Sequence, residues 1–194
     1  MATFTGIPFG SVQSQYFDQN ATALAGDLFS PSDINLCDSA MVDQEGGIAC
    51  GRFVDSTTVV ANRSGIGNMA VKALSATTTA TTLYGVLVRS QATQSGADGK
   101  ALVEDNRMGN VLRKDRVGGR IWVETAGSGS FSEASTAYVV ISNTVPDNTA
   151  PVGTLTFAAI TGSSKTDTVD VSSFVKVRSA GTAGSDLALV EFIM

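Results

Sequence analysis

Short apolar runs alternating with polar positions fill most of this chain, and turn residues separate them every few positions. In FVKVRS, Val175 and Val177 share one side while Lys176 and Arg178 share the other, the two-residue period of a half-buried strand. Further β-favouring runs are read at 48–54, 57–61, 69–74, 83–90, 101–104, 110–112, 119–125, 137–142, 153–160, 174–178 and 187–193. Asp98-Gly99, inside SGADGK, is a hairpin signal because both residues accept the positive φ that a tight turn needs. Long amphipathic helices are absent from the pattern. A short helix is read over 32–44, with Ser30, Ser32 and Asp33 as caps and Gly46-Gly47 as its end; an irregular connection is the alternative. Many short strands of period two predict a mainly β chain, with a single antiparallel β-barrel or β-sandwich domain over 36–194.

Residues 1–35 follow no steady period. Phe4, Ile7, Phe9, Tyr16, Phe17, Leu24 and Phe29 are scattered between glycines and prolines. A segment this apolar is an extended, irregular N-terminal arm rather than a solvated tail. It serves either as a strap across its own domain or as an arm laid on a neighbouring subunit. Both bury the same side chains, so the sequence does not separate them. In VGGRIWVET, Gly118-Gly119 can bend or bulge the chain. Ile121 and Val123 then face one side, and Arg120, Trp122 and Glu124 the other. Trp122, the one tryptophan, is read as a core or barrel-lid residue, as an interface residue, or as a ligand-stacking one.

Composition narrows the partners. The chain has 194 residues, enough for one domain that buries roughly 70% of its unfolded surface. Only 16% of residues are charged, against about 25% in typical chains, and Thr, Ser, Ala and Gly take their place. Such a surface suits packing against other protein. A net charge of −5 argues against nucleic acid as the partner. No run of 18 apolar residues suggests a membrane span, and the N-terminus reads as an ordinary cytosolic start. Asn20-Ala21-Thr22 and Asn62-Arg63-Ser64 therefore match the glycosylation pattern by chance. Arg107, Arg113, Lys114, Arg116 and Arg120 form a basic cluster, partly offset by Glu104, Asp105 and Asp115. It is either a set of solvated loop and strand faces or a docking patch for an acidic protein surface; direct DNA contact is the weakest reading.

Candidate chemistry is sparse. The chain has no histidine, which removes the commonest general base and zinc ligand. An enzyme would have to use carboxylates, for example Glu124 with Glu133 or Asp186. Asp33-x-Asn35 resembles the start of a calcium loop but lacks its glycine, and Gln44 stands where the bidentate Glu belongs. GIGNMA at 65–70 has dinucleotide-loop spacing without the following helix or acidic residue, and GSGS at 127–130 lacks the elbow spacing. Both are read as turns. Cys37 and Cys50 could pair by count, but a reducing cytosol favours two free structural thiols. No catalytic residue, cofactor or metal is assigned.

An ordered set of pieces carries a family resemblance: AGDLFSPSDINLCDSAMVDQEGGIACGRFV at 25–54, YGVLVRS at 84–90, VGGRIWVET at 117–125, AYVVIS at 137–142, and VKVRSAGTAGSDLALVEFIM at 175–194. In these pieces the chain resembles the structural cement, or capsid decoration, proteins of tailed bacteriophages. The resemblance implies a virion protein on the capsid exterior, made in the host cytoplasm during assembly. It implies the major capsid protein as partner, a homo-oligomer (trimer or dimer) at a local symmetry axis, reinforcement of the shell against DNA pressure, and no catalytic residues. Phe4, Ile7, Phe9, Tyr16, Phe17, Phe29, Arg113, Lys114, Arg116 and Trp122 are the expected interface residues. Another β-rich virion module, a tail, fibre or adhesin part, is the alternative.

Overall fold

The protein is described from a computed structural model, at residues 23–61, 67–90, 94–95, 100–163 and 165–193. The strands among them are β1 (Cys37–Val42), β2 (Ile48–Ala49), β3 (Phe53–Ala61), β4 (Gly67–Lys72), β5 (Leu83–Val88), β6 (Gln94–Ser95), β7 (Ala101–Val103), β8 (Met108–Arg113), β9 (Arg120–Val123), β10 (Ser130–Phe131), β11 (Tyr138–Val140), β12 (Leu155–Thr156), β13 (Thr168–Asp170), β14 (Val175–Val177), β15 (Gly181–Thr182) and β16 (Ala188–Phe192). The expected mainly β chain is what folds, and a closed barrel in the order β1-β4-β3-β5-β8 is its centre.

Sequence alternation decides which side of each barrel strand faces which core. Ala40 and Val42 of β1, Val54 of β3, Val71 of β4, Leu87 of β5 and Val111 of β8 join one cluster, so all five strands feed it. The opposite faces of β3, β5 and β8 present Phe53, Val86, Val88 and Leu112 to a second, larger cluster. That cluster is completed by Ile121, Val123, Val139, Leu155, Val175 and Val190 from the smaller sheets. Strands buried on both faces read as continuous apolar runs, which explains why LYGVLV in β5 does not alternate. Gly85 in β5 has a structural reason: a Cβ there would lie 2.1 Å from the Leu112 carbonyl oxygen.

Three expectations need correction. Residues 32–44 do not form a helix. One 3-10 turn spans Pro31–Leu36, capped reciprocally by Ser30 and Asp33, and the chain then enters β1. Pairing of β1 with both β8 and β4 closes the barrel, and that tertiary gain overrides the capping signals. Asp33 serves as a cap of this turn. The barrel is also not wholly antiparallel, because β1 runs parallel to β4 (Met41↔Ala70, Val42↔Val71). Finally, the 153–160 run keeps only Leu155–Thr156 as strand. Gly153 turns at φ 87°, and Phe157 stacks on Phe131 with ring centroids 4.4 Å apart. The Asp98-Gly99 signal and residues 65–66 lie outside the described residues; β6 and β7 pair antiparallel on either side of the former (Ser95↔Ala101).

Candidate docking surfaces

The chain just before the 3-10 turn is laid along the edge of a small sheet. Gly26 N–H donates to the Trp122 carbonyl at 2.8 Å, Trp122 N–H to the Asp27 carbonyl at 3.0 Å, and Phe29 N–H to the Arg120 carbonyl at 3.0 Å. A bridge between Leu28 and Ile121 fixes the register. On the other side, Arg89 N–H donates to the Gly26 carbonyl at 2.8 Å, tying the segment to the barrel just past β5. Residues 24–29 therefore act as a fourth strand on the sheet β9-β16-β14.

Register then places the side chains. Opposite residues in an antiparallel pair point to the same face. Leu28, Ile121, Val190 and Val177 point inward to the core. The other face carries Phe29, Arg120, Glu191 and Lys176 in one row and Asp27, Trp122, Leu189 and Arg178 in the next, with Leu189 buried among its neighbours. Phe29 stays 48% exposed, with the Arg120 guanidinium 4.2 Å above its ring centroid. Trp122 is half-buried on this face, while its neighbours Ile121 and Val123 are fully buried, as the alternation in VGGRIWVET requires. Arg178 Nε meets Glu191 Oε2 at 2.5 Å.

The basic cluster is spread over a second surface and is partly neutralised. Arg113 donates to Asp38 Oδ2 at 2.8 Å and also reaches Asp115; its guanidinium lies 5.5 Å from the Tyr84 ring centroid. The hydrogen bond from Arg113 holds Asp38 below the usual carboxylate range. Burial, together with Asp38, raises the Tyr84 hydroxyl. Lys114 Nζ donates to the Ala80 and Thr81 carbonyls at 2.6 Å each and sits 5.5 Å from the Phe174 ring, and burial lowers its pKa. Arg116 is the looser member, 3.9 Å from Asp38, with 47% of its side chain exposed. Arg107 pairs weakly with Glu104 at 3.8 Å. Phe4, Ile7, Phe9, Tyr16 and Phe17 lie outside the described residues.

Two buried carboxylates are held by networks that the sequence did not reveal. Glu124, buried at the end of β9, accepts from Arg52 Nε at 2.9 Å and Lys100 Nζ at 2.6 Å, so both its oxygens are held as an ion-pair hub. Glu124 and Asp186 both line a cleft of about 710 Å³ between the 146–151 loop and the 184–187 turn. Asp167, fully buried, accepts from Ser142, Thr144, Val145 and Asn148 and organises that same loop. Nothing in TDTVD distinguishes Asp167 from the exposed Asp170 three positions on. Both thiols are free. Burial, aided by Asp33 and Asp38, pushes Cys37 up to about 12, and burial pushes Cys50 to about 11.

A family model described as "Structural cement protein (E217 gp24/Pam3 gp6)" matches residues 12–193. The fold is similar to a chain in the solved structure "The capsid of Myoviridae Phage XM1", with a TM-score of 0.51 and 18% sequence identity, covering 89% of this chain and 91% of that one. At that identity the likeness is one of fold. A comparison with curated proteins gave no match.

Proposed function

The chain belongs to the structural cement protein family, and from that premise we propose that it binds the outer surface of a phage capsid as a homo-oligomer and holds neighbouring major-capsid subunits together. The match over residues 12–193 carries this reading: it includes the barrel, the smaller sheets and part of the arm. The exposed chemistry agrees with it. The chain is poor in charge, a Phe–Arg–Trp face is partly exposed among the described residues, and a loosely paired basic edge is centred on Arg116. Aromatic and arginine residues are the side chains that anchor protein interfaces. Glu124, one of the carboxylates named above as an enzyme's candidate, is paired with Arg52 and Lys100.

In this reading the N-terminal residues Phe4, Ile7, Phe9, Tyr16 and Phe17 bury apolar area on the shell. Arg116, the loosely held member of the basic edge, sets register against an acidic capsid surface, with Arg113 and Lys114 fixed beside it by their own partners. Many copies on one lattice then reinforce each other, because each seated copy raises the effective concentration of the next contact. The test uses heads assembled without this protein. Purified protein should bind them saturably with a fixed stoichiometry and raise their rupture temperature. Protein that fails to co-sediment with such heads, or that binds and leaves the rupture temperature unchanged, overturns the proposal.

A further inference from the structure

Two cavities that share a wall lie where the described chain begins. Gly26 is clamped between the small sheet and the barrel: its N–H donates to the Trp122 carbonyl, its carbonyl accepts from the Arg89 N–H, and a Cβ on it would lie 2.8 Å from the Cys50 Cβ. The turn before it is closed as well, since Leu24 N–H donates to Asp27 Oδ2 and Asp27 N–H to the Leu24 carbonyl, each at 2.9 Å. Residues 1–22 are therefore tethered at a fixed point. There Leu24 and Ala25 line a cavity of about 180 Å³ together with Lys100 and Glu124. Lys100 and Glu124 also line the cleft of about 710 Å³, whose apolar lining is Ala126, Pro146, Ala150, Pro151, Ile160 and Leu187.

We propose that Tyr16 and Phe17 of the same chain seat in this larger cleft, so that the free protein shelters its own N-terminal aromatic pair. From Leu24 back to Phe17 is seven residues, about 23 Å of extended chain, enough to cross the smaller cavity and pass the Lys100–Glu124 pair. In an extended chain neighbouring side chains point to opposite sides, which turns one ring to the 146–151 wall and the other to the 184–187 wall. Cavities of about 300–1,000 Å³ bury ligands of the size of two such rings. Asp18 is the one charged side chain before Asp27, and its place next to Phe17 brings it to Lys100, whose side chain is 44% exposed. Phe4, Ile7 and Phe9 lie further out, where loop closure costs more, so the tether favours Tyr16 and Phe17. The contact stands apart from the cement reading, but its consequence rests on it. One aromatic pair does not bury in the cleft and on the shell at once, so docking draws it out, and the apparent affinity for heads falls with the fraction of chains whose pair is free.

The experiment reads access to the cleft in the full chain. Ser185→Cys puts a thiol in the cleft wall, and Glu133→Cys puts one on the exposed surface outside it. Maleimide should label Ser185→Cys at least roughly fivefold faster once Tyr16→Ser and Phe17→Ser are added, because labelling follows the fraction of time the cleft is open. Glu133→Cys should label at one rate in both backgrounds, with circular dichroism checking the fold. Oxidising a Phe17→Cys, Ser185→Cys chain should close a bridge within one chain, a result that decides the contact even if the double-serine chain does not fold. Heads should bind that bridged protein roughly tenfold more weakly than its reduced form.

Labelling of Ser185→Cys that ignores the two serine substitutions would overturn the proposal. So would equal acceleration at Glu133→Cys, the mark of general loosening. A bridge that joins two chains would place the pair in a neighbour's cleft, and no bridge at all would place it elsewhere; either result overturns the contact. Heads that hold the bridged and reduced forms equally sink the exchange on docking. Wild type that ignores heads while Ser185→Cys stays protected sinks the cement reading and leaves the cleft contact standing.

Discussion

Ser142 Oγ donates to Asp167 Oδ1 at 2.6 Å, joining a loop to a carboxylate 25 residues further along that has no exposure to solvent. Asn148 Nδ2 and the Val145 N–H hold the second oxygen at 2.7 and 2.8 Å. A carboxylate can be buried only when its lone pairs are filled, and here the 142–148 loop fills them.

Asp167→Asn replaces an acceptor with a donor aimed at donors. The variant should lose clearly more thermal stability than Asp170→Asn at its exposed neighbour. The hydrogen bonds to Asp167 outweigh its burial and depress its pKa, so it stabilises the fold above the unfolded carboxylate pKa of about 3.9. That contribution fades as pH falls below about 4. Denaturant midpoints measured between neutral pH and pH 3 should fall for wild type and fall less for Asp167→Asn. Parallel curves would show that Asp167 is not the titrating group.

Gly85→Ala puts a methyl group where the Leu112 carbonyl oxygen already stands, inside the barrel wall. Neither backbone can retreat without breaking the β5–β8 ladder (Gly85↔Arg113, Val86↔Leu112). Destabilisation should match that of deleting a large core side chain such as Phe53→Ala, about 3–5 kcal/mol. A Gly85→Ala protein that melts with wild type would mean that β5 and β8 are spaced differently.

Thiol labelling follows the raised pKa values. With Cys37 near 12 and Cys50 near 11, little thiolate exists at pH 8 in the folded protein, whereas an unfolded cysteine ionises near pH 8.5. Iodoacetamide should modify both residues at least roughly tenfold more slowly in native buffer than in denaturant. Fast native labelling at Cys50 would contradict its burial beneath the Val88 carbonyl, which its Sγ approaches at 3.6 Å.

Two basic residues on either side of Asp115 should behave differently. Lys114→Met removes the donor to the Ala80 and Thr81 carbonyls, of which only the first is partly buried, and should cost about 1 kcal/mol of stability. Arg116→Glu disturbs one loose 3.9 Å pair and should change stability by less than about 1 kcal/mol. Its effect should appear in head binding, as a slower association with a weaker salt dependence. Unchanged binding kinetics for Arg116→Glu would remove the basic edge from the docking surface.

The sequence pattern reached as far as local rules reach. Period two found β14 and the inward pair Ile121 and Val123, because a half-buried strand writes its face directly into alternation. It failed at 32–44, where Ser30 and Asp33 signal a helix start correctly but say nothing of the barrel seam waiting for Cys37–Val42. The parallel β1–β4 contact is likewise a property of closure, invisible in either strand. Phe29 and Trp122 were both picked out as interface candidates, but only the Leu28↔Ile121 bridge shows that they share a face. The networks that hold Asp167 and Glu124 were hidden because the partners come from distant positions, and short-range spacing carries no trace of them.

Closure of the β1-β4-β3-β5-β8 ring gives the molecule a graded mechanical character. Each hoop member is laced to two neighbours, so a pull across it must shear whole ladders at once. The appended sheets include two-residue strands, β10 with β15 and the edge strand β12, which can peel one rung at a time. Under any load carried across the molecule, the two-residue pairs are therefore the rungs expected to part first, and the closed hoop the last.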